Sequence, residues 1–333
     1  VQKRSPSFVE QQGNKLIISA DQIRNMPKFL GTSDPVRYMQ SLAGIQTNNE
    51  TRTGIHIQGC DDYQSLVSIN SAPIYYPNHL FGLYSAFISP HFHTITVEQA
   101  EHTAVMSNRI GGSVDFQTHT MQPDRFRLEG NIGIVNTDLT LTIPCGKRNA
   151  LWISGRTSYI DWLYGSLLSA DDYTIRYHFQ DYNLTYASQL TDNDQLVITG
   201  FYSRDRLKVS SGEYIHVPII WQNIAASVHW NHRFAQGTWS TRAYYSSYNN
   251  DIAITFDVAS VNTNALFSSF GVKNRFLYHL TDHLTFNASL DYELSSYRPS
   301  ELVKVNNLPT ELNTSDLYSS GMADDILDIK THY

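Results

Sequence analysis

The residues most able to bind a metal ion are histidines in the first third of the chain. His91 and His93 are one residue apart, so on a β-strand their imidazoles would face the same side and could chelate one ion. His79 and the pair Asp61-Asp62 lie in the same region. A third ligand at a suitable spacing is missing, and histidines with a purely structural role in loops would give the same pattern. The sequence therefore predicts no metal site here.

Two acidic pairs, Asp171-Asp172 and Asp324-Asp325, could bind calcium in loops, but neither has the ligand spacing of a calcium-binding loop. Solvated loop charge accounts for both pairs. The chain has no nucleophile elbow, phosphate-binding loop, paired-histidine zinc helix or dinucleotide-binding glycine pattern. We therefore expect a protein that is not an enzyme, without catalytic residues or a bound cofactor.

Composition narrows the class of protein further. The 333 residues carry 24 Lys and Arg against 31 Asp and Glu, so the formal net charge is −7 and no nucleic-acid partner is expected. No run approaches the ~18 apolar residues that a membrane helix requires. Because 12% of residues are aromatic and only 17% are charged, the chain is too aromatic for disorder and favours strands. Cys60 and Cys145 are too few for a disulfide framework or a metal cluster.

Residues 1–122 contain short elements of mixed type. Pro35 at a first helical position and Gly44 beyond the end predict a helix over 34–42. A shorter helix is expected just before Met26-Pro27. Strands are predicted at 16–18, 54–59, 65–70, 94–98 and 112–118. These elements indicate a mixed α/β domain.

From about residue 123 the pattern changes to long segments in which apolar and polar residues alternate. In 284–294 every second residue is apolar, from Leu284 through Leu290 to Leu294. The segments are long for strands of a soluble sheet, in which about 5–6 residues are usual. The nine predicted strands cover 126–135, 137–143, 150–158, 172–190, 195–207, 222–234, 238–257, 264–281 and 284–294.

The predicted connections alternate between short and long. Short turns are expected at 144–149, 191–194, 235–237 and 281–283, and longer connections at 159–171, 208–218, 258–263 and from 299 onward. This asymmetry is typical of outer-membrane barrels, which have short periplasmic turns and long external loops. The expected members of their aromatic girdles are Trp152, Tyr202, Trp230, Trp239, Tyr244, Tyr245, Tyr248 and Tyr297. A soluble or surface-displayed β-rich binding protein or adhesin is the alternative.

The first domain carries a more specific pattern. It contains Ile57-Gln58-Gly59, Leu66-Val67-Ser68-Ile69-Asn70-Ser71-Ala72-Pro73-Ile74-Tyr75, Asn78-His79-Leu80-Phe81-Gly82, Ile95-Thr96-Val97-Glu98 and Arg109-Ile110-Gly111-Gly112-Ser113-Val114. In this order and spacing the segments resemble the plug domain of TonB-dependent outer-membrane receptors, and within that family the Bacteroidetes branch. The resemblance covers roughly residues 19–120.

Two departures from the family pattern bear on how the plug is held. Gln58 stands where the family usually has Arg, and Asn70-Ser71 stands where it usually has Asp-Gly. The resemblance therefore implies a weakened ion-pair network between plug and barrel. Gly59, Pro73 and Gly82 match the family, so the turns are expected to be intact.

The resemblance implies an α+β plug over 1–122, followed over 123–333 by antiparallel transmembrane β-barrel strands. Because the family's barrel has about 22 strands, nine strands would form an incomplete barrel, and we expect a fragment or a truncated product. The expected location is the outer membrane of a Gram-negative bacterium. The implied partners are outer-membrane lipid, a small-molecule or glycan substrate, and the TonB energy-transducing complex, bound through a segment at or before residue 1. A surface lipoprotein is a further partner that the resemblance allows.

The implied function is active uptake of a scarce nutrient, with no chemistry performed on it. A siderophore, a cobalamin, a glycan and a peptide fragment all stay open as substrates. Plug apices in the family face outward and help to bind substrate, so the predicted ligand-binding residues are Tyr75, Tyr76, Asn78 and His79. Core packing would explain Tyr75 equally well. Trp162 and Tyr164 are predicted either to contact the ligand or to fold as a short helix over the rim.

Overall fold

The computed structural model describes residues 9–12, 15–19, 23, 28–46, 54–61, 64–99, 111–170, 172–212, 215–255, 260–281, 284–306 and 327–331. They form two parts: a small mixed domain, called the plug below, and one long antiparallel sheet, called the wall. Among the described residues, no helix is long and apolar enough to cross a lipid bilayer.

The plug is built on a six-stranded sheet with two short accessory hairpins. Its strands are β1 (Val9–Gln12), β2 (Lys15–Ser19), β3 (Ile45–Gln46), β4 (His56–Ile57), β5 (Leu66–Ile69), β6 (Ala72–Pro73), β7 (Asn78–His79), β8 (Tyr84–Ser85), β9 (Phe92–Gln99) and β10 (Gly112–Thr118). The order across the main sheet is β1-β2-β9-β10-β5-β6, and β5 runs parallel to β10. The first two strands of the described chain therefore lie at one edge of the plug.

Helix α1 (Pro35–Met39) lies where the sequence predicts a helix, although it ends earlier than expected. The Oδ1 atom of Asp34 caps it by accepting hydrogen bonds from the backbone N–H groups of Val36 and Arg37, at 2.9 and 3.2 Å. The Oδ2 atom of Asp34 accepts a third, at 2.6 Å, from the N–H of Ser85. One buried carboxylate thus ties the helix to β8.

Most of the predicted plug strands are present. The segments 16–18, 65–70, 94–98 and 112–118 correspond to β2, β5, β9 and β10. The strand predicted over 54–59 shortens to β4, because Gln58 and Gly59 take positive φ angles of 54° and 79° and turn the chain. The shorter helix predicted before Met26-Pro27 lies outside the described residues apart from Ile23.

The wall is an antiparallel sheet of 11 strands. They are β11 (Arg127–Ile132), β12 (Asn136–Cys145), β13 (Asn149–Ser158), β14 (Ser169–Ala170), β15 (Tyr173–Gln189), β16 (Asp194–Ser211), β17 (Ile215–Phe234), β18 (Gly237–Thr255), β19 (Ser260–Thr281), β20 (Leu284–Asn306) and β21 (Leu327–Thr331). Helix α2 (Ile160–Leu163) follows β13. Apart from β14, which pairs only with β15, consecutive strands are hydrogen-bonded in order.

All nine predicted wall strands are present, but several ends differ. β16 runs to Ser211 and β17 begins at Ile215, so most of the connection predicted at 208–218 is strand. The long connection predicted from residue 299 begins later than expected, because β20 continues to Asn306, and residues 307–326 lie outside the described residues. β10 ends at Thr118 and β11 begins at Arg127, so the domain boundary predicted at residue 122 falls between two strands.

The period of two gives the wall two different faces. Along β15, Phe179 and Asp181 have no exposed surface, whereas Tyr182 and Leu184 expose 50% and 47%. Large apolar side chains are exposed on the outer face of strand after strand, including Leu139, Ile153, Ile198, Val228, Tyr245, Phe270 and Leu290. Buried polar side chains such as Thr140, Asn183, Thr199 and Ser227 line the inner face. An apolar exterior with a polar interior is the arrangement of a membrane-spanning barrel.

The aromatic girdle assignment needs correction at four positions. Trp152 and Tyr244 expose only 2% each and face inward. Tyr248 and Tyr297 also lie on the inner face, since Tyr248 contacts a plug ring and Tyr297 pairs with the inward Phe267. An aromatic residue near a strand end can therefore belong to a girdle only if the alternation of faces places it on the outside of the wall. Trp239 and Tyr245, exposed by 45% and 46%, do lie outside.

The plug core is continuous with the inner wall. Phe87 of the plug stacks on Phe116 at 3.8 Å between ring centroids, and it also lies 6.4 Å from Phe201 of β16. Ala225 and Tyr244 of the wall belong to the same buried cluster. Burying one such side chain stabilises a fold by about 1.5–3 kcal/mol, so the plug depends on the wall for part of its own stability.

Candidate functional site

A tight hairpin carries His79 from the plug to the wall. Strands β7 and β8 pair through Asn78 with Ser85 and through His79 with Tyr84. Between them, Leu80 and Phe81 have φ angles of 50° and 56°, which are uncommon for residues other than glycine. The backbone N–H of Leu80 donates to the hydroxyl of Tyr177 on β15 at 2.6 Å. A wall side chain therefore holds the unusual turn in place.

His79 is the centre of a buried ionic cluster. Its Nδ1 lies 2.6 Å from Oδ1 of Asp205 on β16, and its Nε2 lies 2.8 Å from Oδ1 of Asp181 on β15. The Nε of Arg156 on β13 donates to Oδ2 of Asp181 at 2.7 Å, and the Tyr177 hydroxyl donates to Oδ1 of Asp205 at 2.8 Å. We call these five residues the His79 cluster.

The cluster joins four segments of chain that are distant in sequence. Arg156 Nη2 also donates to the backbone carbonyl of Ser85 at 2.6 Å, so the wall holds β8 as well as β7. The imidazole of His79 stacks on Phe179 at 4.3 Å between centroids, which excludes water from the other side. The plug is thus fastened to three neighbouring wall strands at one buried point.

The charge state of His79 follows from these neighbours. Burial disfavours the charged imidazole, but the attraction and hydrogen bonds of Asp181 and Asp205 outweigh this and raise the pKa of His79 to about 9. At neutral pH both ring nitrogens are therefore protonated, and each donates to a carboxylate. Two buried carboxylates are satisfied by one imidazolium and one guanidinium.

A second buried histidine contacts the wall without any carboxylate. The Nδ1 of His91 lies 2.8 Å from the Ser154 hydroxyl of β13, and its Nε2 lies 2.9 Å from the Thr185 hydroxyl of β15. Burial, with a smaller contribution from the nearby His119, lowers the pKa of His91 to about 3. The ring is therefore neutral, with one nitrogen donating and the other accepting.

The turn that departs from the family pattern still contacts the wall. Asn70 and Ser71 have positive φ angles of 47° and 71°, as expected for a two-residue hairpin turn between β5 and β6. Asn70 Nδ2 donates to Oγ1 of Thr199 at 2.8 Å, and Arg242 Nη1 donates to Oγ of Ser71 at 2.7 Å. At this turn the cation of Arg242 meets a hydroxyl and not a carboxylate, and the buried ion pairs between plug and wall lie at the His79 cluster. The weakened ion-pair network at the departing positions stays a prediction.

The predicted ligand-binding residues Tyr75 and Tyr76 belong to a group of aromatic rings where plug and wall meet. Tyr75 packs against Phe267 at 4.4 Å between centroids and hydrogen-bonds the hydroxyl of Ser269. Tyr76 lies 6.2 Å from Trp221. The full group, called the apical aromatic cluster, consists of Tyr75, Tyr76, Phe81, Trp221, Tyr248 and Phe267.

The apical aromatic cluster is partly open. Phe81 exposes 54% of its surface while its edge packs on Trp221, and Tyr75 and Tyr76 are half-buried. Asn78 is half-buried in the hairpin beside them. Half-exposed rings flanked by amides can stack on a ligand and direct hydrogen bonds to it. His79 differs, since it has no exposed surface and both ring nitrogens already have partners.

Trp162 and Tyr164 lie at a different place. Trp162 is in helix α2 and exposes 83% of its surface, and the Tyr164 hydroxyl donates to the carbonyl of Ile134 at 3.1 Å. The predicted short helix over the rim is present. The described contacts do not bring either residue to Tyr75 or Tyr76.

The histidines considered for metal binding are separated. His79 and His91 are buried with different partners, and the exposed His93 lies against His119 at 5.3 Å between centroids. Within the described ranges, no group of three or more His, Cys, Asp or Glu residues is placed to hold a metal ion.

Sequence reasoning missed most partners of these sites. Asp181 and Asp205 lie more than 100 residues from His79, and no local pattern links them. A partial signal existed, however: Asp181 and Asp205 are charges at inward positions, each with a large apolar residue, Phe179 or Leu207, at one neighbouring inward position. A charge beside a buried apolar side chain indicates a buried partner.

Comparisons with known proteins agree with this geometry at the level of the fold. No protein-family model and no curated protein sequence matches the chain. The siderophore receptor PirA from Pseudomonas aeruginosa is 15% identical with a TM-score of 0.61, over 88% of this chain and 51% of that one. PirA from Acinetobacter baumannii is 13% identical with a TM-score of 0.58, over 86% and 48%. The copper transporter OprC is 11% identical with a TM-score of 0.57, over 88% and 47%.

The chain thus spans about half the length of the receptors it matches. These likenesses support the plug and the antiparallel barrel wall, and they favour a barrel over a soluble β-sandwich. The described residues have the TonB-dependent receptor fold, with a plug followed by strands of an incomplete barrel.

Proposed function

We propose that this chain forms the plug and the first barrel strands of a TonB-dependent receptor that carries a scarce nutrient across the outer membrane of a Gram-negative bacterium. The observation that carries the proposal is the His79 cluster, in which a plug residue is bonded to two wall carboxylates at 2.6 and 2.8 Å. A plug fastened at buried points closes a lumen, and it can be released only by work done on it.

The edge position of β1 and β2 supports the coupling to an energy-transducing complex. These strands come first in the described chain and lie at the edge of the plug sheet, where β2 pairs with β9. Force applied upstream would reach them before the interior of the plug. The segment that binds TonB is accordingly proposed to lie at or before residue 1.

The apical aromatic cluster is the proposed substrate contact, with Tyr75, Tyr76 and Asn78 as its plug residues. Rings and amides can recognise a siderophore, a cobalamin, a glycan or a peptide, and all four classes stay in the proposal. His79 would act by positioning the hairpin that begins at Asn78 and directly follows Tyr75 and Tyr76. Trp162 and Tyr164 remain proposed contacts for a ligand approaching over the rim.

Two finer parts of the proposal rest on sequence. The plug pattern from Ile57 to Val114 supports the assignment to the Bacteroidetes branch, and a surface lipoprotein stays a proposed partner on the same ground. The outward apolar face of the wall supports contact with outer-membrane lipid.

The test is uptake by the protein expressed from its complete reading frame in a Gram-negative host. We expect it to fractionate with outer membranes, to show heat-modifiable gel mobility, and to import one of the four ligand classes only when TonB is present. Partition into the aqueous phase would support the adhesin alternative, and TonB-independent uptake would overturn the coupling.

A matched pair of variants tests the ligand site. Tyr76→Ala removes a ring from the apical aromatic cluster, whereas Tyr245→Ala removes the same side chain from the outer face of the wall. We expect Tyr76→Ala to weaken ligand binding about three- to ten-fold, the range for one aromatic contact. Tyr245→Ala should leave binding unchanged, and equal losses in both would contradict the site.

A further inference from the structure

A pocket of about 430 Å³ opens beside helix α2 and is unrelated to the plug. Its lining includes three permanent cations, Arg176, Arg206 and Lys208, together with His178, Asp161 and Trp162. Strands β15 and β16 supply the cations and the histidine, and α2 supplies the other two. The pocket is complete within the described residues.

The cations point away from the lumen. Arg206 and Lys208 are exposed and alternate with the buried Asp205 and Leu207, and Arg176 is likewise exposed beside the buried Tyr177. They therefore lie on the face of the wall that carries the exposed apolar side chains. A substrate moving through the lumen would not meet them.

Like charges are set directly opposite each other in this pocket. Arg176 pairs across the strands with Lys208, and Arg206 is the preceding outward residue on the same strand as Lys208. A like-charge cross-strand pair is destabilising unless an anion lies between its members. Asp161 is the carboxylate in the lining, and its Oδ1 lies 3.9 Å from Nδ1 of His178.

No protein anion neutralises the three cations within the ranges that the structure describes. No described carboxylate lies within 4.0 Å of Arg176, Arg206 or Lys208. Arg204 is the outward residue of β16 between Tyr202 and Arg206. Its Nε is buried and has no described hydrogen-bond partner. Unused donors and excess positive charge thus occur together on two adjacent strands.

The height of the pocket can be read from the wall itself. Tyr182 and Tyr202 are cross-strand partners whose rings stack at 6.2 Å, and beyond them the outer face of this strand pair becomes cationic. With a rise of about 3.4 Å per residue and a tilt near 40°, Arg204 to Lys208 lie about 5 to 15 Å above these tyrosines. The headgroup layer of a bilayer is about 5–7 Å thick on each side, so Arg204 lies within it and the pocket lies at its outer edge, if the tyrosines mark the edge of the hydrocarbon core. The short 146–148 turn lies at one end of the wall and the pocket lies at the other end. The proposed function places the end with the pocket outside the cell.

We propose that this pocket binds the phosphate groups of a lipid in the outer leaflet of the outer membrane. Guanidinium groups bind phosphate with paired hydrogen bonds, and Trp162, which is 83% exposed at the pocket, supplies a ring for the adjoining sugar or acyl chain. The inference rests on the proposed function only for the placement of this end of the wall outside the cell.

The test measures lipid binding by the detergent-purified protein from its complete reading frame. The probes are fluorescent lipopolysaccharide, the same lipid after enzymatic removal of its phosphates, and inorganic pyrophosphate. The variant is Arg206→Gln with Lys208→Gln, and the matched control is Arg125→Gln with Lys147→Gln, two exposed cations elsewhere. Heat-modifiable mobility checks that each variant is folded.

We expect the phosphorylated lipid to bind in a salt-sensitive manner, and the Arg206 and Lys208 double variant to bind it about ten- to thirty-fold more weakly. The control variant should bind like the wild type. The proposal is overturned if the dephosphorylated lipid binds equally well, if both double variants lose the same affinity, or if pyrophosphate competes fully at equal phosphate concentration. Failure here with normal outer-membrane fractionation and uptake would leave the proposed function intact, whereas aqueous fractionation would remove that function itself.

Discussion

Two histidines of the plug are equally buried and both contact β15 of the wall, yet one is charged and the other is neutral. His79 meets Asp181 on β15 and Arg156 lies beside it on β13, while His91 meets Thr185 and Ser154 on those strands. The carboxylates raise the pKa of His79 to about 9, and burial lowers the pKa of His91 to about 3. We call His79 and His91 the two anchors of the plug. Their charge is therefore determined by the wall residues that they contact, and not by burial alone.

The two anchors respond to pH in opposite directions. The folded pKa of His79 lies above the ordinary value of 6.5, so its stabilisation is complete below pH 6.5 and is lost as pH rises through about 9. The folded pKa of His91 lies below 6.5, so its stabilisation is complete above pH 6.5 and is lost as pH falls toward 3. Both anchors hold best near pH 6.5.

Replacing His79 is expected to have the largest effect. His79→Ala leaves Asp205 buried without a cation, and breaking a buried ion pair in this way costs about 3–5 kcal/mol of unfolding free energy. The measurement is urea unfolding of the plug in detergent, followed by tryptophan fluorescence, since Trp221 contacts plug rings. Adding Asp205→Ala should restore part of the loss, and a double variant as unstable as the sum of the singles would contradict an ionic anchor.

The next effect is the alkaline pH dependence of the wild type. Raising the pH from 6.5 to beyond 9 removes the imidazolium of His79, and a shift of this size corresponds to about 3 kcal/mol of unfolding free energy. The same urea titration repeated across this range measures it. Asp205→Asn should flatten the curve, and an unchanged slope in that variant would assign the titration to another group.

A designed substitution should give His91 a carboxylate partner and so make its charge state resemble that of His79. Thr185→Asp places a carboxylate next to Nε2 of His91, which raises the pKa of His91 above 6.5. At pH 5 the variant then avoids the acid penalty of a neutral buried imidazole, which is about 2 kcal/mol. Stability at pH 5 relative to pH 7 is the readout. Thr185→Asn is the neutral control, and equal acid sensitivity in both variants would break the comparison.

The smallest effect is expected at His93, two residues from His91 and exposed. His93→Ala removes an imidazole that contacts His119 at the surface, so the change in unfolding free energy should stay within about 0.5 kcal/mol. Its pH profile should match that of the wild type. A large shift would mean that an exposed histidine, rather than the buried pair, governs the titration.

The sequence predicted the wall well and the anchors poorly. Alternation in segments such as 284–294 follows directly from a sheet that is apolar outside and polar inside, so every predicted wall strand is present. The strand ends were less accurate, because β16 and β17 keep their pairing beyond the apolar band, where composition resembles a loop. Two-residue strands, namely β3, β4, β6, β7, β8 and β14, are too short to show any periodicity.

The candidate site shows the same limit at single residues. His91 and His93 were expected on one face, but His91 is the last residue of a 3₁₀ turn and precedes β9, so strand alternation does not apply to it. The aromatic stretch of Tyr75 and Tyr76 was found locally, whereas Trp221 and Tyr248, which lie against Tyr76, come from strands more than 140 residues away. Such pairings depend on barrel register, which the plug sequence does not contain.

The edge strands of the plug also have a mechanical consequence. Among the described strands, β1 is paired with β2 alone, and β2 joins the sheet at β9. Tension on the N-terminal side would open the β1–β2 ladder from Val9 paired with Ile18, one rung after another, instead of shearing all rungs together. Residues 9 to 19, once fully extended, would span about 35 Å. The plug would thus lengthen first at the β1–β2 hairpin, and tension would reach the His79 cluster only after that hairpin is fully extended.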